Sequence, residues 1–335
     1  MRLIKNKGSL LLILVLSFLL TACGSQDTQG EASAGNGNVE LESVKLVLNW
    51  FAKNEHAGQY AALEKGYFKN NGLDVMIDQG GPQVSSISIV ASGKAEFGLA
   101  HADQILLARN EGVELVSFAT TMQHSPQAIM YHEGEEIEDF EDLNGRDMYV
   151  QAGVSYWEYL KSIYDLSNVR ELNLTGEYAN FIGDKSAVSQ SFITQEPISL
   201  EAQGVKLDTK LISDSGYDPY TVVLFTTKEY FEQNPETVKQ FVSAFVQGWK
   251  YYSENSDEVD QIILKMNPGI EEEELTMGGE MQKEYIFGGD AVAKGFGYMT
   301  KERWQTLINQ LSDIGLLKEE VNPSEVFTTE LLPSN

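Results

Sequence analysis

The residues with the most chemistry to offer cluster in short loops. The stretch "NWFAKNEHAGQY" brings an amide (Asn49), an indole (Trp50), an imidazole (His56), a glycine (Gly58) and a phenol (Tyr60) to the point where a strand-like run gives way to a helix-like one. Later loops repeat the mixture. "QGGPQ" adds amides and glycines, "AHADQ" holds His101 and Asp103, and "TMQHSPQ" holds Gln123 and His124. "QAGVS" supplies Gln151 and Gly153 just ahead of Trp157, and "TGEYANF" supplies Tyr178. "TQEP" carries Gln195 and Glu196, and "SDSGYDPY" carries Tyr217 and Tyr220. Aromatic faces offer stacking area, side-chain amides both donate and accept, and glycines let a ligand approach the backbone. A flat nitrogen heterocycle needs that combination. Lys53 is the only lysine or arginine in these eight loops; an oxoanion normally recruits more positive charge, although helix N-terminal amides can hold an anion unaided.

Other chemistries find less support. His101 and Asp103 have a plausible local spacing for a metal, but none of the four histidines pairs with another at i, i+4 on a helical stretch, so no metal is expected. The chain has no Gly-x-Ser-x-Gly elbow, no phosphate-binding Gly-Lys-Ser/Thr loop and no His-Glu-x-x-His. No catalytic residue and no cofactor is expected.

The elements that must position these loops read as alternating strands and helices. "VKLVLNW", "GLDVMID", "AEFGLA" and "VELVSFATT" are strand-like, with helix-like "EHAGQYAALEKGYF", "VSSISIVASGK" and "ADQILLARNEG" between them. A second set begins near Asp142, with strands "RDMYVQA", "NVRELNL", "AVSQSFIT" and "KLDTKLIS" and helices "SYWEYLKSIYDL" and "PISLEAQG". Two α/β units side by side is the economical reading, and in open α/β sheets ligands collect beyond the carboxyl ends of the strands. From Asn234 the chain turns helical, and Phe241, Phe245 and Trp249 recur at i, i+4, i+8 as a core stripe.

The first residues bear on location. Met1 to Ala22 carries Arg2, Lys5 and Lys7 followed by "LLLILVLSFLL", the length of a signal-peptide apolar core. The run ends in "LTAC", where Cys23 is the only cysteine, so the fold can form no internal disulfide. Gly24 to Ser43 is nearly free of apolar residues and reads as a flexible tether. The whole chain, 335 residues, has a net charge of −26, and the leader removes three positive charges and no acids. Nucleic acid and anionic lipid surfaces are therefore poor partners.

"LTAC" resembles a bacterial lipobox, in which the cysteine becomes a lipidated N-terminus. Together with "LNWFAKNEHAGQYAALEKGYFKNNGLDVMI", "SGKAEFGLAHADQILLARNEGVELV", "EDLNGRDMYV" and "EPISLEAQG", it makes the chain resemble solute-binding proteins of ABC importers. More narrowly it is similar to the branch that binds the pyrimidine precursor of thiamine, with sulfonate, taurine, nitrate and riboflavin binders as cousins. Ala52 stands where that branch usually has proline. The resemblance implies an α/β fold of the periplasmic-binding-protein type II kind, with two lobes joined by a two-crossing hinge and a ligand cleft between them. It implies a signal peptide over 1–22, a lipidated cysteine and tether over 23–43, a first lobe of 44–131 plus 220–335, and a second lobe of 132–219. The crossings are expected near Tyr131 to Glu135 and near Asp218 to Val222. The implied partners are a small molecule, an ABC permease with its ATPase subunit, and the outer face of a bacterial membrane through the lipid on Cys23; a monomer is expected. Some eukaryotic pyrimidine synthases share the fold.

Overall fold

The computed structural model describes residues 41–333. The leader, Cys23 and the tether up to residue 40 lie outside the described residues. Glu42 and Ser43, expected in the tether, instead open the first strand.

Two five-stranded sheets organise the molecule. The first contains β1 (Glu42–Val47), β2 (Leu73–Asp78), β3 (Phe97–Ala100), β4 (Leu115–Met122) and β10 (Thr221–Thr227), in the order β2-β1-β3-β10-β4. The second contains β5 (Gln127–His132), β6 (Asp147–Val150), β7 (Arg170–Asn173), β8 (Val188–Phe192) and β9 (Leu207–Leu211), in the order β7-β6-β8-β5-β9. The two orders are the same pattern. In each sheet one strand is antiparallel to both its neighbours, β10 in the first and β5 in the second. That strand is the one that arrives from the other sheet, so the chain crosses between lobes twice, once after β4 and once after β9.

The expected strands and helices of both units are present, and the two strands that sequence reading passes over, β5 and β10, are the crossing strands. Because β5 belongs to the second sheet, the first crossing falls at Gln123–Pro126, earlier than the expected Tyr131–Glu135. The second lies between β9 and β10, close to where it is expected. Every residue of β3, at the centre of the first sheet, and of β4, at its edge, is buried, as helices on both sides of a sheet require.

The long helix Pro235–Glu254 returns to the first lobe. Its Phe241 stacks on Phe97 of β3, ring centroids 3.9 Å apart, and Phe245 and Trp249 complete the buried stripe. Gly58, on the helix Ala57–Glu64, and Gly248 lie where these two helices meet; a Cβ on Gly248 would stand 2.0 Å from the Gly58 carbonyl oxygen. The helix Lys301–Asp313 buries Trp304, Leu307, Ile308 and Leu311 in a core that includes side chains of both lobes. That helix splints the hinge side of the molecule. No helix among the described residues is long and apolar enough to cross a membrane.

Candidate functional site

A cavity of about 190 Å³ lies between the lobes, where both sheets present the carboxyl ends of their parallel strands. The first lobe lines it with Asn49, Trp50, Glu55, His101 and Asp103, and with Gly81 and Val84 to Ile87 of the loop and helix after β2. The second lobe adds Gln127, Gln151, Gly153, Tyr156 and Tyr178, and then Gln190 to Phe192, Gln195 and Glu196.

Local sequence explains how these groups are held. The turn after β1 must pass very close to the loop after β2: a Cβ at Gly80 would lie 2.3 Å from the Leu48 carbonyl oxygen, so only glycine fits there. The Gly80 N–H then donates to the Trp50 carbonyl at 2.9 Å and fixes the turn that carries the indole. Gly153 has φ +77°, a left-handed backbone that favours glycine, just before the helix Ser155–Ile163. His101 precedes the helix Ala102–Asn110, and its Nδ1 accepts the N–H of Val222 at 3.3 Å. Val222 has φ +56°, rare for a β-branched residue, and this conformation turns its N–H to His101.

Beneath Trp50 lies a buried polar chain. His56 Nε2 faces Asn49 Oδ1 at 3.0 Å and so bears the ring proton. Asn49 Nδ2 donates to Glu55 Oε1 at 3.2 Å, and Gln195 Nε2, from the other lobe, donates to Glu55 Oε2 at 2.8 Å. Burial drives the His56 imidazole down to about 3, so it is neutral at neutral pH. Burial also pushes the Glu55 carboxyl up to about 7, against Lys53 and the bonds from Gln195 and Asn49. Lys53 makes a second bridge between lobes, with Nζ 3.2 Å from Glu196 Oε1 and 3.9 Å from Glu274 Oε1. Burial opposes its charge, but Glu196, Glu274 and Glu55 outweigh this and raise the ammonium above its usual value. Lys53 is thus committed to carboxylates, and among the described residues no lysine or arginine lines the cavity. Glu196 also takes the Phe192 N–H on Oε2 at 2.8 Å, so it caps its own strand-to-helix turn while facing the cavity.

The expected site residues divide. Asn49, Trp50, His101, Asp103, Gln151, Gly153, Tyr178, Gln195 and Glu196 are brought together on the cavity. Tyr217 lies on a smaller adjoining space and donates its O–H to Asp103 Oδ2 at 3.0 Å. The others stand elsewhere. Gly58 is a helix-packing residue whose Cβ would meet the Trp249 ring at 2.3 Å. Tyr60 and Trp157 are core, 3% and 2% exposed. His56 is completely buried behind Asn49 and reaches the cavity only through it.

Gln123, His124 and Tyr220 belong to the hinge. Arg303 donates to the Gln123 carbonyl on the first crossing and, at 2.8 Å, to the Asp218 carbonyl on the second, while its guanidinium lies 4.1 Å from the centre of the Tyr220 ring. His124 Nδ1 is 2.6 Å from Asp218 Oδ2. Burial opposes the Asp218 charge, but His124, the Ser125 N–H and Arg303 hold its carboxyl below the usual range.

Sequence reasoning misses Glu55, Gln127, Tyr156 and Gln190. Gln190 Oε1 accepts both the Gln151 N–H (2.7 Å) and the Tyr156 O–H (3.0 Å). Gln127 opens β5, which runs antiparallel and so begins at the crevice where its neighbours end. A reading confined to carboxyl ends passes it by. Among the described residues no group of three or more His, Cys, Asp or Glu side chains is placed to hold a metal.

Two α/β lobes, two crossings and a cavity at the strand ends define the fold of periplasmic binding proteins. Solved structures that share it include the aliphatic sulphonate binding protein SsuA from Escherichia coli, with TM-score 0.64 and 12% identity over 85% of this chain and 96% of that one. The nitrate-binding protein NrtA from Synechocystis PCC 6803 has TM-score 0.64 and 15% identity over 87% of each chain. The family model described as NMT1/THI5 like matches residues 53–259, more than half of the sequence, and the chain belongs to that family. It is 25% identical over 341 residues to the riboflavin-binding protein RibY of Chloroflexus aurantiacus, covering 96% of each. It is 25% identical over 337 residues to the formylaminopyrimidine-binding protein of Halalkalibacterium halodurans, covering 96% of this chain and 99% of the relative. A relative from Candida albicans, 24% identical over 88% of this chain and 89% of its own, is named as a 4-amino-5-hydroxymethyl-2-methylpyrimidine phosphate synthase.

Proposed function

We propose that this protein captures a small amino-substituted nitrogen heterocycle of pyrimidine type between its lobes and delivers it to an ABC permease, as a substrate-binding protein and not an enzyme. One observation carries the choice of ligand class. The cavity combines Trp50, Tyr156, Tyr178 and Phe192 with five glutamines and the carboxylates Glu55, Asp103 and Glu196, and among the described residues it has no lysine or arginine on its wall. Rings supply stacking area, amides match a heterocycle's alternating donors and acceptors, and carboxylates favour amino groups or a protonated ring. A sulfonate or nitrate would meet carboxylates on the wall, while the lysine beside them, Lys53, is already paired with Glu196.

Size supports a single ring. An apolar cavity of about 150 Å³ admits benzene, and about 190 Å³ suits one substituted ring better than a fused tricyclic flavin. The binding role is supported by the two relatives named as binding proteins, which align over nearly their full lengths. In this reading the leader is removed, Cys23 is lipidated, and the monomeric protein is tethered on the outer face of the membrane beside its permease and ATPase subunit.

Calorimetry against a 2-methyl-4-aminopyrimidine, riboflavin and taurine tests the ligand class. The aminopyrimidine should bind and taurine should not, and Trp50→Ala should weaken the aminopyrimidine by about 1–3 kcal/mol through lost stacking. Binding of taurine with no binding of either heterocycle would overturn the proposal.

A further inference from the structure

The helix Glu272–Phe287 carries two consecutive glycines in its interior, Gly278 and Gly279. Glycine is the poorest helix former after proline, and what a side chain would meet differs between the two positions. A Cβ on Gly279 would stand 3.0 Å from Asn54 Nδ2 and 3.0 Å from the Tyr252 hydroxyl, both in the first lobe. A Cβ on Gly278 would stand 2.3 Å from the Thr194 carbonyl oxygen and 3.8 Å from Ile198 Cδ1, both in the second. One glycine seats the helix on its own lobe, and the other lets it reach the opposite one.

The seating on the first lobe is firm. Asn54 Nδ2 donates to the Leu275 carbonyl, and Gln282 Nε2 donates to the Asn54 carbonyl at 3.0 Å and to the Tyr252 hydroxyl at 2.8 Å. Asn54 lies between Lys53 and Glu55, the two first-lobe residues that bridge the lobes. Farther along, the Tyr285 carbonyl accepts the Gln123 N–H of the first crossing at 2.6 Å. The helix is therefore keyed to the hinge near one end and to the bridging turn nearer the other. Its contact on the second lobe is placed to match, because Thr194 immediately precedes Gln195 and Glu196, the partners of Glu55 and Lys53. Glu274, one turn before Gly278 and on the same face, has Oε1 3.9 Å from Lys53 Nζ. The approach of Gly278 to a backbone oxygen thus fixes the separation at which both bridges form.

We propose that Gly278 is a closure stop, a residue outside the cavity wall that sets ligand affinity by how far it lets the lobes close. A backbone oxygen cannot swing aside as the end of a long side chain can. Any side chain at 278 therefore holds the lobes apart and removes part of the closed population that a ligand selects. The inference rests on the two-lobe binding role proposed above and not on the class of ligand.

The test compares Gly278→Ala and Gly279→Ala with the wild type in two measurements. In calorimetry and stopped-flow binding, 2-methyl-4-aminopyrimidine should bind Gly278→Ala roughly fivefold to a hundredfold more weakly, the cost of an overpacked contact expressed as affinity. The loss should lie in the dissociation rate, with association near the wild-type rate. Gly279→Ala should keep its affinity within about twofold but lower the melting temperature, since its crowding lies inside one lobe whether the cleft is open or closed. The melting temperature of ligand-free Gly278→Ala should fall less, because an opened protein relieves the clash and alanine is the better helix former. The second measurement, amide exchange of the ligand-free proteins, reads the contact directly: residues 192–199 should exchange faster in Gly278→Ala than in the wild type and unchanged in Gly279→Ala. Wild-type affinity in Gly278→Ala, or an equal loss in Gly279→Ala, would overturn the closure stop. So would unchanged exchange over 192–199 in Gly278→Ala, a result that stands whether or not the aminopyrimidine binds. If the aminopyrimidine does not bind the wild type while exchange responds as expected, the ligand class fails and the closure stop holds.

Discussion

At the scale of single residues, the informative group is Glu55, 2% exposed at the seam between the lobes. Its carboxyl is raised to about 7, first by burial and also by Glu196. A carboxyl raised on folding binds more protons folded than unfolded, so its penalty is absent below its ordinary value of 4.5 and grows until pH passes about 7. His56 runs the other way. Burial lowers it to about 3 from 6.5, so the unfolded chain holds a proton that the folded protein does not, and stability rises with pH over that window. In the wild type the two slopes oppose each other between about 4.5 and 6.5. Glu55→Gln keeps the shape and removes one slope. Its stability relative to wild type should climb by on the order of 3 kcal/mol between about pH 4.5 and about pH 7.5. Differences in urea-unfolding free energy at a series of pH values measure this. A difference that does not change with pH would mean that Glu55 ionises as an ordinary surface acid.

At the scale of elements, the turn that carries Trp50 depends on how closely the helix after it approaches the long helix Pro235–Glu254. Their contact is made by Gly58 and Gly248, with Trp249 against one and Ala62 against the other. A methyl group at 248 would stand 2.0 Å from one backbone oxygen and 2.8 Å from the Ala62 Cβ, so the helices must separate to admit it. Gly248→Ala should therefore destabilise by roughly 1–3 kcal/mol despite alanine's better helix propensity. Gly183→Ala is the control: it also sits in a helix, but nothing lies within 4 Å of its Cβ position, so it should be neutral or slightly stabilising. Thermal unfolding of the pair separates crowding from propensity. Equal melting temperatures would show that the helix contact has slack the packing does not reveal.

At the scale of the whole molecule, the lobes are joined across the cavity by Gln195 to Glu55 and by Lys53 to Glu196. On the hinge side they are held by Arg303 across both crossings. The hinge is thus a pinned pivot, and the contacts between lobes also include Gly278, in the helix Glu272–Phe287, packed closely on Thr194 and Ile198. A ligand that touches both lobes stabilises the closed arrangement by its differential affinity. Small-angle scattering should show a smaller radius of gyration with saturating aminopyrimidine than without. An unchanged radius alongside calorimetric binding would mean that the seam stays closed on its own.

The sequence by itself determined the alternation of strands and helices, the two α/β units and the identity of the loops at the strand ends, because periodicity and turn residues are local properties. It also placed Asn49, Trp50, Gln195 and Glu196 among the cavity residues, since the carboxyl ends of parallel strands converge in any sheet of this kind. Tertiary structure alone decided which side chain of a loop faces inward. Gly58 and Tyr60 follow Trp50 closely in sequence, yet one helical turn carries them onto the long helix and into the core. Gln123, His124 and Tyr220 read as ligand residues because polar and aromatic groups at a strand end look alike whether they meet a ligand or an arginine, and Arg303, far away in sequence, claims them for the hinge. Gln127 lies at the start of a strand whose direction is set by its partners in the sheet. The charge state of Glu55 depends on burial by the opposite lobe, a distance no local pattern records.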